Sequence, residues 1–319
     1  MTNPNISEIL TTTLHNYRKE VIDNIENFHP LFIRLKEKGN VIKESGGVAF
    51  RENLTYSSNG TVQFQGEFDT FDTTIQDVIT AADFEQKIIT GTISMSGKEM
   101  KQNSGKERIA NLMEEKIKNL ESSIKNTLGS AIYSDGTGTG GQEIGGLQLL
   151  VADDPTSGTV GGIDRSSTEG AFFRNKIYDF SVESATKDAT TIQKAMNSLY
   201  RRCQAQAGKQ IDLITADDIN FGFYEDSLQT IQRVASSKLA DAGFDVLQYK
   251  GADVYYDPEC PANHMYFLNS QHIKLKHLGD FLEKGEVTRP VNQDVYVLPM
   301  TGLMNLTIDN ARVHGVMID

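Results

Sequence analysis

The sequence predicts an α+β protein, a β-rich frame carrying one α/β unit, with long appendages that a monomer does not need. Three observations carry that expectation. Residues 47–69 alternate apolar and polar positions in two runs, residues 109–131 repeat apolar side chains every three or four positions, and from Thr186 onward helical and strand patterns alternate.

Near the N-terminus, Ile6, Leu10, Leu14, Tyr17, Val21, Ile25 and Phe28 form one stripe of an amphipathic helix over residues 3–30. His29-Pro30 marks its expected end, because the residue before a proline disfavours helix. One apolar face requires a surface to lie on, in its own domain or on a neighbouring copy. Next, Val48, Phe50, Leu54 and Tyr56 fall on one face of a strand, and Val62, Phe64 and Phe68 on one face of a second. Ser57-Ser58-Asn59-Gly60 lies between them, and Asn-Gly is a strong signal for a two-residue turn. A β-hairpin over 47–69 is therefore expected, with arms of roughly 30–35 Å at ~3.3 Å per residue. An isolated two-stranded hairpin is marginal in water, so its aromatic face needs cover from this chain or another.

Strands are expected at 75–82 and 86–96. Ser104-Gly105-Lys106-Glu107 has the spacing of a capping box. The stripe Ile109, Met113, Ile117, Leu120, Ile124, Leu128, Ala131 then predicts a helix over 104–133, ~40 Å long at ~1.5 Å per residue. Glu114–Lys118 and Glu121–Lys125 are favourably ordered pairs on its outer face. The glycine-rich stretch from Gly136 to Gly146 reads as a connector, followed by a strand at 147–151. Beyond it, Ile192, Met196, Leu199 and Cys203 mark a helix that stops at Gly208. A strand at 210–215, a helix at 216–232, a hairpin of 246–249 and 254–256 about Gly251, and a strand at 265–268 complete an α/β unit over 186–270. Closing strands are expected at 291–298 and 303–317.

Composition excludes several function classes. With 31 Lys+Arg against 43 Asp+Glu, the net charge of −12 argues against wrapping nucleic acid by neutralising phosphates. No apolar run approaches the ~18 residues of a helical membrane span, and MTNPNISEIL lacks the basic-then-apolar pattern of a signal peptide. Two cysteines, Cys203 and Cys260, cannot build a disulfide framework in a chain of 319 residues, which points to a reducing compartment.

The candidate chemical motifs favour structural roles. Gly136-Thr137-Gly138-Thr139-Gly140-Gly141 matches G-x-G-x-x-G in letters, but a helix precedes it and a strand is expected after it, the reverse of the dinucleotide context. No lysine between Lys125 and Lys176 could complete a phosphate loop. Cys260-Pro261-Ala262-Asn263-His264, with Asp257 and Glu259 nearby, lacks the second ligand pair of a structural zinc site and reads as a surface turn. His272 and His277 are expected on opposite faces of a strand. Cys203 lies on an apolar stripe as a small core residue, and Asp217-Asp218 is expected at a helix N-terminus. No catalytic, cofactor-binding or metal site is expected.

The order of arm, long hairpin, long helix and α/β unit resembles that of the tailed-bacteriophage major capsid proteins with the Hong Kong 97-like fold. The stretch from Ile144 to Arg165, containing Gly161-Gly162-Ile163-Asp164-Arg165, and its continuation to Phe172-Phe173-Arg174-Asn175 are similar to a segment common in that family. The resemblance implies an N-terminal arm (1–44), an extended hairpin loop (45–74), a peripheral domain (75–185) with spine helix 104–133, an axial domain (186–275), and a return to the peripheral domain (276–319). It implies a non-enzymatic subunit that assembles with itself into the hexamers and pentamers of an icosahedral shell. That shell would enclose double-stranded DNA without sequence-specific binding. Cofactors, metals and membranes play no part in this picture. The location implied is the virion capsid, after synthesis in the bacterial host cytoplasm, with portal, scaffolding and decoration proteins as further partners.

The interface residues so implied are Leu10 and Leu14 on the arm, and Phe50, Tyr56, Asn59, Gly60, Phe64 and Phe68 on the hairpin. Some relatives cross-link through a lysine on this loop; no lysine occurs in 47–69, so no such bond is expected from it. The arm begins almost at once, so a scaffold would be a separate protein or absent. Three other readings of the chain are a cellular nanocompartment shell of the same fold, a phage tail or adaptor component, and an α/β enzyme with a β-rich accessory domain.

Overall fold

The helix expected over residues 3–30 lies, but for Pro30, outside the described residues. In the computed structural model, which describes residues 30–102, 106–183, 185–205, 211–228 and 246–319, helix α1 runs Pro30–Glu37. Proline suits a first helical turn, where its missing N–H would lack a partner and its φ is already set. Leu31, Phe32 and Leu35 on α1 are buried. The stripe holding Leu10 and Leu14, Ser104 of the capping box, and Gly208 lie outside the described residues.

The chain continues through strands β1 (Val41–Glu44), β2 (Ala49–Thr55), β3 (Ile79–Glu85) and β4 (Lys87–Ser96). The frame sheet has the order β1-β12-β13-β4, completed by β12 (Ile273–Lys284) and β13 (Val295–Ile308). β1 runs parallel to β12, whereas β13 pairs antiparallel with both neighbours. Helix α2 (Lys106–Ile132, 27 residues) follows the expected stripe. Ile117, Ile124, Leu128 and Ile132 are buried from it, and Gly91 on β4 admits the close approach of Leu120. A Cβ at Gly91 would lie 2.5 Å from Leu120 Cδ1.

A second sheet of six strands has the order β7-β14-β11-β8-β10-β9. Its members are β7 (Lys176–Asp179), β8 (Leu213–Ala216), β9 (Val246–Tyr249), β10 (Ala252–Tyr256), β11 (Met265–Leu268) and β14 (Gly315–Ile318). Helix α3 (Ile192–Gln204) buries Ile192, Met196, Leu199 and Cys203, as its period requires. Helix α4 (Asp218–Leu228) starts from Asp217, whose carboxylate accepts from the N–H of Asn220 at 3.1 Å and of Asn263 at 2.7 Å. The β9–β10 hairpin turns through Lys250 (φ 50°) and Gly251 (φ 85°), the left-handed pair of a two-residue turn. Tyr133, just past α2, donates from its hydroxyl to the buried Asp257 at 2.8 Å, tying the long helix to this second sheet.

Several local expectations are corrected. β2 does not pair with 62–68 but antiparallel with β3, from Ala49 opposite Glu85 to Thr55 opposite Ile79. Residues 57–78 between them contain no strand. Turn chemistry breaks the apparent second run: Asn59 Oδ1 accepts from Thr61 N at 2.9 Å, Asp69 Oδ2 from Gly66 N at 2.7 Å, and Asp72 Oδ1 from Thr74 N at 2.9 Å. Residues 147–151, expected as a strand, form a helical turn at Leu147–Leu150, because Leu147 and Leu150 bury together at helical spacing. The glycine-rich stretch before it is fastened rather than a plain connector. Asp135 Oδ1 accepts from Thr137 N at 2.9 Å, and Gly145 N donates to Asn305 Oδ1 at 3.0 Å.

The two expected closing strands are the single β13 plus β14, and His272 lies in a short 3-10 turn (Ser270–His272) ahead of β12 rather than on the strand itself. Sheet membership also crosses the boundaries drawn at 186 and 275. β7 and β14 join the α/β sheet from either side of it, β14 running antiparallel to β11 and parallel to β7.

Candidate functional site

The structural feature that most resembles a site is the long loop 57–78 together with its root on β2 and β3. Along β2, Phe50, Glu52 and Leu54 point inward and are buried. A buried carboxylate is costly unless paired and hydrogen-bonded, and Glu52 is both. Its oxygens lie 2.8 Å from Lys274 Nζ and 3.0 Å from Lys276 Nζ on β12, and accept from Thr307 Oγ1 at 3.0 Å. Lys276 reaches on to Glu44 at 3.2 Å and donates to the Arg51 carbonyl at 3.1 Å. Lys274 also meets Asp309 at 3.0 Å, and Asp309 in turn bonds His272 Nδ1. Burial alone would lower the Lys274 pKa, but its bonds to Glu52 and Asp309 raise it. Burial would raise the Asp309 pKa, but His272 and Lys274 hold it below the usual carboxylate range.

A second brace comes from the segment 159–175. Strands β5 (Thr159–Val160) and β6 (Ile163–Asp164) pair about Gly161 and Gly162, with φ of 58° and 78°. Gly161 accepts from Asp83 N on β3 at 2.9 Å, and a Cβ there would stand 2.8 Å from Ala82 Cβ, so only glycine fits. Arg165 is fully buried and donates to the carbonyls of Leu150 at 2.6 Å and Leu149 at 3.3 Å, capping the helical turn below. Burial lowers its pKa to about 10. Arg174 Nε donates to the Arg165 carbonyl at 2.7 Å, and Asn175 Nδ2 to the Ala152 carbonyl at 2.8 Å. The Gly-Gly-Ile-Asp-Arg segment thus ties β3 to the turn at Leu147–Leu150.

Beyond this fastened root the loop is bare. Val62, Phe64, Phe68, Phe71 and Ile75 are each at least 83 % exposed. Glu67, Asp69, Asp72 and Asp77 add negative charge, and no Lys or Arg occurs between Arg51 and Lys87. An exposed apolar set of this size marks an interaction surface. Beside the root, a cleft of about 380 Å³ opens, lined among others by Tyr56, Phe172, Phe173, Asp309 and Arg312. The Tyr56 and Phe172 rings lie 5.8 Å apart.

Of the residues expected at an interface, Phe64, Phe68, Asn59 and Gly60 are exposed, whereas Tyr56 is half-buried in the cleft wall. Phe50 is a correction: at 2 % exposure it belongs to the core of its own subunit, because β2 turns that face onto the frame sheet. Sequence reasoning missed Phe71 and Ile75, which fell past the expected hairpin or inside an expected strand. It also missed Glu52, which alternation puts on the apolar face with Phe50 and Leu54 but which carries a charge in place of an apolar side chain.

The other candidates are structural. His264 Nε2 lies 3.0 Å from Asp153 Oδ2, and Nδ1 lies 2.7 Å from the Ala262 carbonyl. Burial pushes the Cys260 thiol pKa up, and that of Cys203 up to about 12, so neither is a ready thiolate. Among the described residues no group of three or more His, Cys, Asp or Glu side chains is arranged to hold a metal ion. No described helix is long and apolar enough to cross a membrane.

No family model matches the sequence. No curated protein matches it either. Solved structures do. The chain is similar to a chain of the cyanophage A-1(L) capsid asymmetric unit, with a TM-score of 0.69 at 16% identity, covering 90% of this chain and 92% of that one. The capsid of a native GTA particle matches with a TM-score of 0.55 at 10% identity, covering 89% of each chain. The holo-SrpI encapsulin complex from Synechococcus elongatus PCC 7942 matches with a TM-score of 0.54 at 8% identity, covering 91% of this chain and 88% of that one. The frame sheet, the long helix, the α/β sheet and the extended loop therefore together have the Hong Kong 97-like capsid fold.

Proposed function

We propose that this chain is the major capsid protein of a tailed phage, a structural subunit that assembles with copies of itself into an icosahedral shell enclosing double-stranded DNA. The observation that carries this reading is the long loop, braced at its root by buried ion pairs yet exposing a row of large apolar side chains. A monomer gains nothing from that combination, whereas a subunit that straps onto its neighbour requires it. The capsid fold over nine-tenths of the chain supports the same reading.

In this account the α/β sheet forms the axial domain at the centre of hexamers and pentamers, and α2 is the spine of the peripheral domain. Leu10, Leu14, Tyr56, Asn59, Gly60, Phe64 and Phe68 contribute to contacts between copies. Portal, scaffolding and decoration proteins are the further partners, and the virion capsid the location. The net charge of −12 suits a container, because an acidic wall offers packaged DNA little phosphate-neutralising attraction. The encapsulin likeness favours one alternative, a cellular nanocompartment shell.

Expression followed by size exclusion and negative-stain microscopy tests the proposal. Megadalton shells or hexameric rings are expected, and a well-behaved monomer at high concentration would overturn it. The contents of particles from the native source then decide between the readings: nuclease-protected DNA supports the phage capsid, and a protein cargo the nanocompartment.

A further inference from the structure

We propose that Asn59 is a site of spontaneous covalent modification: in the free subunit it deamidates through attack by the Gly60 backbone nitrogen, giving aspartate and isoaspartate, and the converted subunit assembles less well. The chemistry stands without the shell-forming reading above, and the effect on assembly rests on that reading.

The loop supplies each group that the reaction uses. No other asparagine in the chain precedes a glycine. Asn59 and Gly60 are both exposed and lie outside any strand or helix. The nucleophile, Gly60 N, donates to no acceptor among the described residues, so no hydrogen bond has to break before it attacks. With no Cβ at position 60 its approach is unobstructed, and the backbone turns freely into the cyclic geometry. The electrophile is held in place. Asn59 Oδ1 accepts from Thr61 N at 2.9 Å and from Thr61 Oγ1 at 2.7 Å, which folds the side chain back along the Gly60 peptide. The same two donors stabilise the negative charge that builds on Oδ1 during attack. The leaving group, Nδ2, has no partner among the described residues.

Gly60 N bonds to Asn59 Cγ as its proton passes to solvent. The Cγ–Nδ2 bond then breaks, and Nδ2 leaves as ammonia with a proton taken from water. A water molecule opens the resulting succinimide at either carbonyl, giving aspartate or an isoaspartate whose backbone is longer by one carbon. One water is consumed and one ammonia released, with no change of oxidation state. Asn53 and Asn292, also exposed, lack this arrangement. Asn53 is held in the paired strand β2, and the residue after Asn292 has a side chain and a backbone N–H that donates to the Pro290 carbonyl at 3.3 Å. Either product adds a carboxylate to a loop that carries Glu67, Asp69, Asp72 and Asp77 and no Lys or Arg between Arg51 and Lys87. An added charge is unfavourable within a contact surface, so conversion limits how long a free subunit stays competent to assemble.

Peptide mapping by mass spectrometry tests the site on the full-length subunit, aged at low concentration in mildly alkaline buffer. The Asn59 peptide should gain about one mass unit, appear as both aspartate and isoaspartate forms, and convert about tenfold or more faster than the Asn292 peptide of the same digest. Gly60→Ala should slow the conversion about tenfold or more. The new methyl meets only the end of the Gln76 side chain, and thermal unfolding reports that the variant is folded. Conversion of Asn59 no faster than that of Asn292, or an unchanged rate in Gly60→Ala, would overturn the site. Shell yield reads the consequence. Aged wild-type subunits should assemble several-fold less than fresh ones, whereas aged and fresh Asn59→Gln should match, because the longer side chain would have to close a six-membered ring. Equal yields from aged and fresh wild type would overturn the effect on assembly while the mass measurement still decides the site. Fresh wild type that forms no shells removes the shell-forming reading and the effect on assembly together, and leaves the modification itself to the mass measurement.

Discussion

Glu52 on β2 and Lys276 on β12 face each other at 3.0 Å with side chains only 8% and 7% exposed, so the root of the long loop is joined to the frame sheet by a buried ion pair. Lys274 joins the same carboxylate from two residues away on β12. The loop is thus long at its tip and fixed at its base, which is what a strap reaching another copy requires.

Removing one partner of this network should be expensive. Glu52→Ala leaves two partly buried ammonium groups without their shared carboxylate, and a loss of about 3–5 kcal/mol in subunit stability is expected by denaturant unfolding. Replacing all three groups with apolar residues of similar size should cost much less, because the buried charges go together. A loss below about 1 kcal/mol for Glu52→Ala would mean that solvent reaches the site.

Acid should weaken the subunit in two stages. Burial holds His314 neutral, with a pKa lowered from 6.5 to about 3. Its folded pKa is below the unfolded value, so its contribution is full above about 6.5 and is lost as pH falls towards 3. Asp309 is also depressed, so its contribution is present above the unfolded carboxylate value near ~4 and is lost below it. Lys274 is raised, so its contribution is retained until the pH rises past the ordinary lysine range. Unfolding midpoints should therefore be flat from about pH 7 to 8, fall below about 6.5, and fall again above about 8.5, where the unfolded chain ionises the Cys203 and Cys260 thiols whose pKa burial raises in the folded subunit. His314→Asn should flatten the first part of that fall and Asp309→Asn the second. Unchanged slopes in both would contradict the assignment.

Gly161→Ala should destabilise the loop root. The substitution forces a side chain into a left-handed φ of 58° and against Ala82. A loss of about 1–2 kcal/mol or more is expected, with Gly162→Ala costing less because its surroundings are open.

Arg165→Lys should not substitute for arginine. A single ammonium cannot reach the carbonyls of Leu149 and Leu150 in the geometry of the planar fork. A destabilisation of about 1.5–3 kcal/mol is expected by thermal unfolding. A wild-type midpoint for Arg165→Lys would show that the brace is dispensable.

How far the fold was legible depends on range. Helices α2 and α3 followed from local periodicity, because Ile117, Ile124, Leu128 and Ile192, Met196, Leu199 repeat at the helical period and are buried as it requires. The partner of β2 did not follow, because the true partner β3 lies more distant along the chain than the apparent one. Hydrogen bonds of Asn59, Asp69 and Asp72 interrupt the nearer run in a way that alternation of apolar residues does not encode. For the site, Phe64 and Phe68 stood out as aromatic residues needing cover. Glu52 and Arg165 did not, because a buried charge is recognisable only once its partners from β12 and from Leu149–Leu150 are brought to it.

The most direct measurement of the central claim is shell yield for Phe64→Asp with Phe68→Asp beside the unfolding midpoint of the same subunit. Both positions are fully or nearly fully exposed in the monomer, so the midpoint should stay at the wild-type value while shells disappear and only subunits or small oligomers sediment. Shells formed at wild-type yield by this folded variant would contradict the account, because the exposed face of the loop would then contribute nothing to assembly.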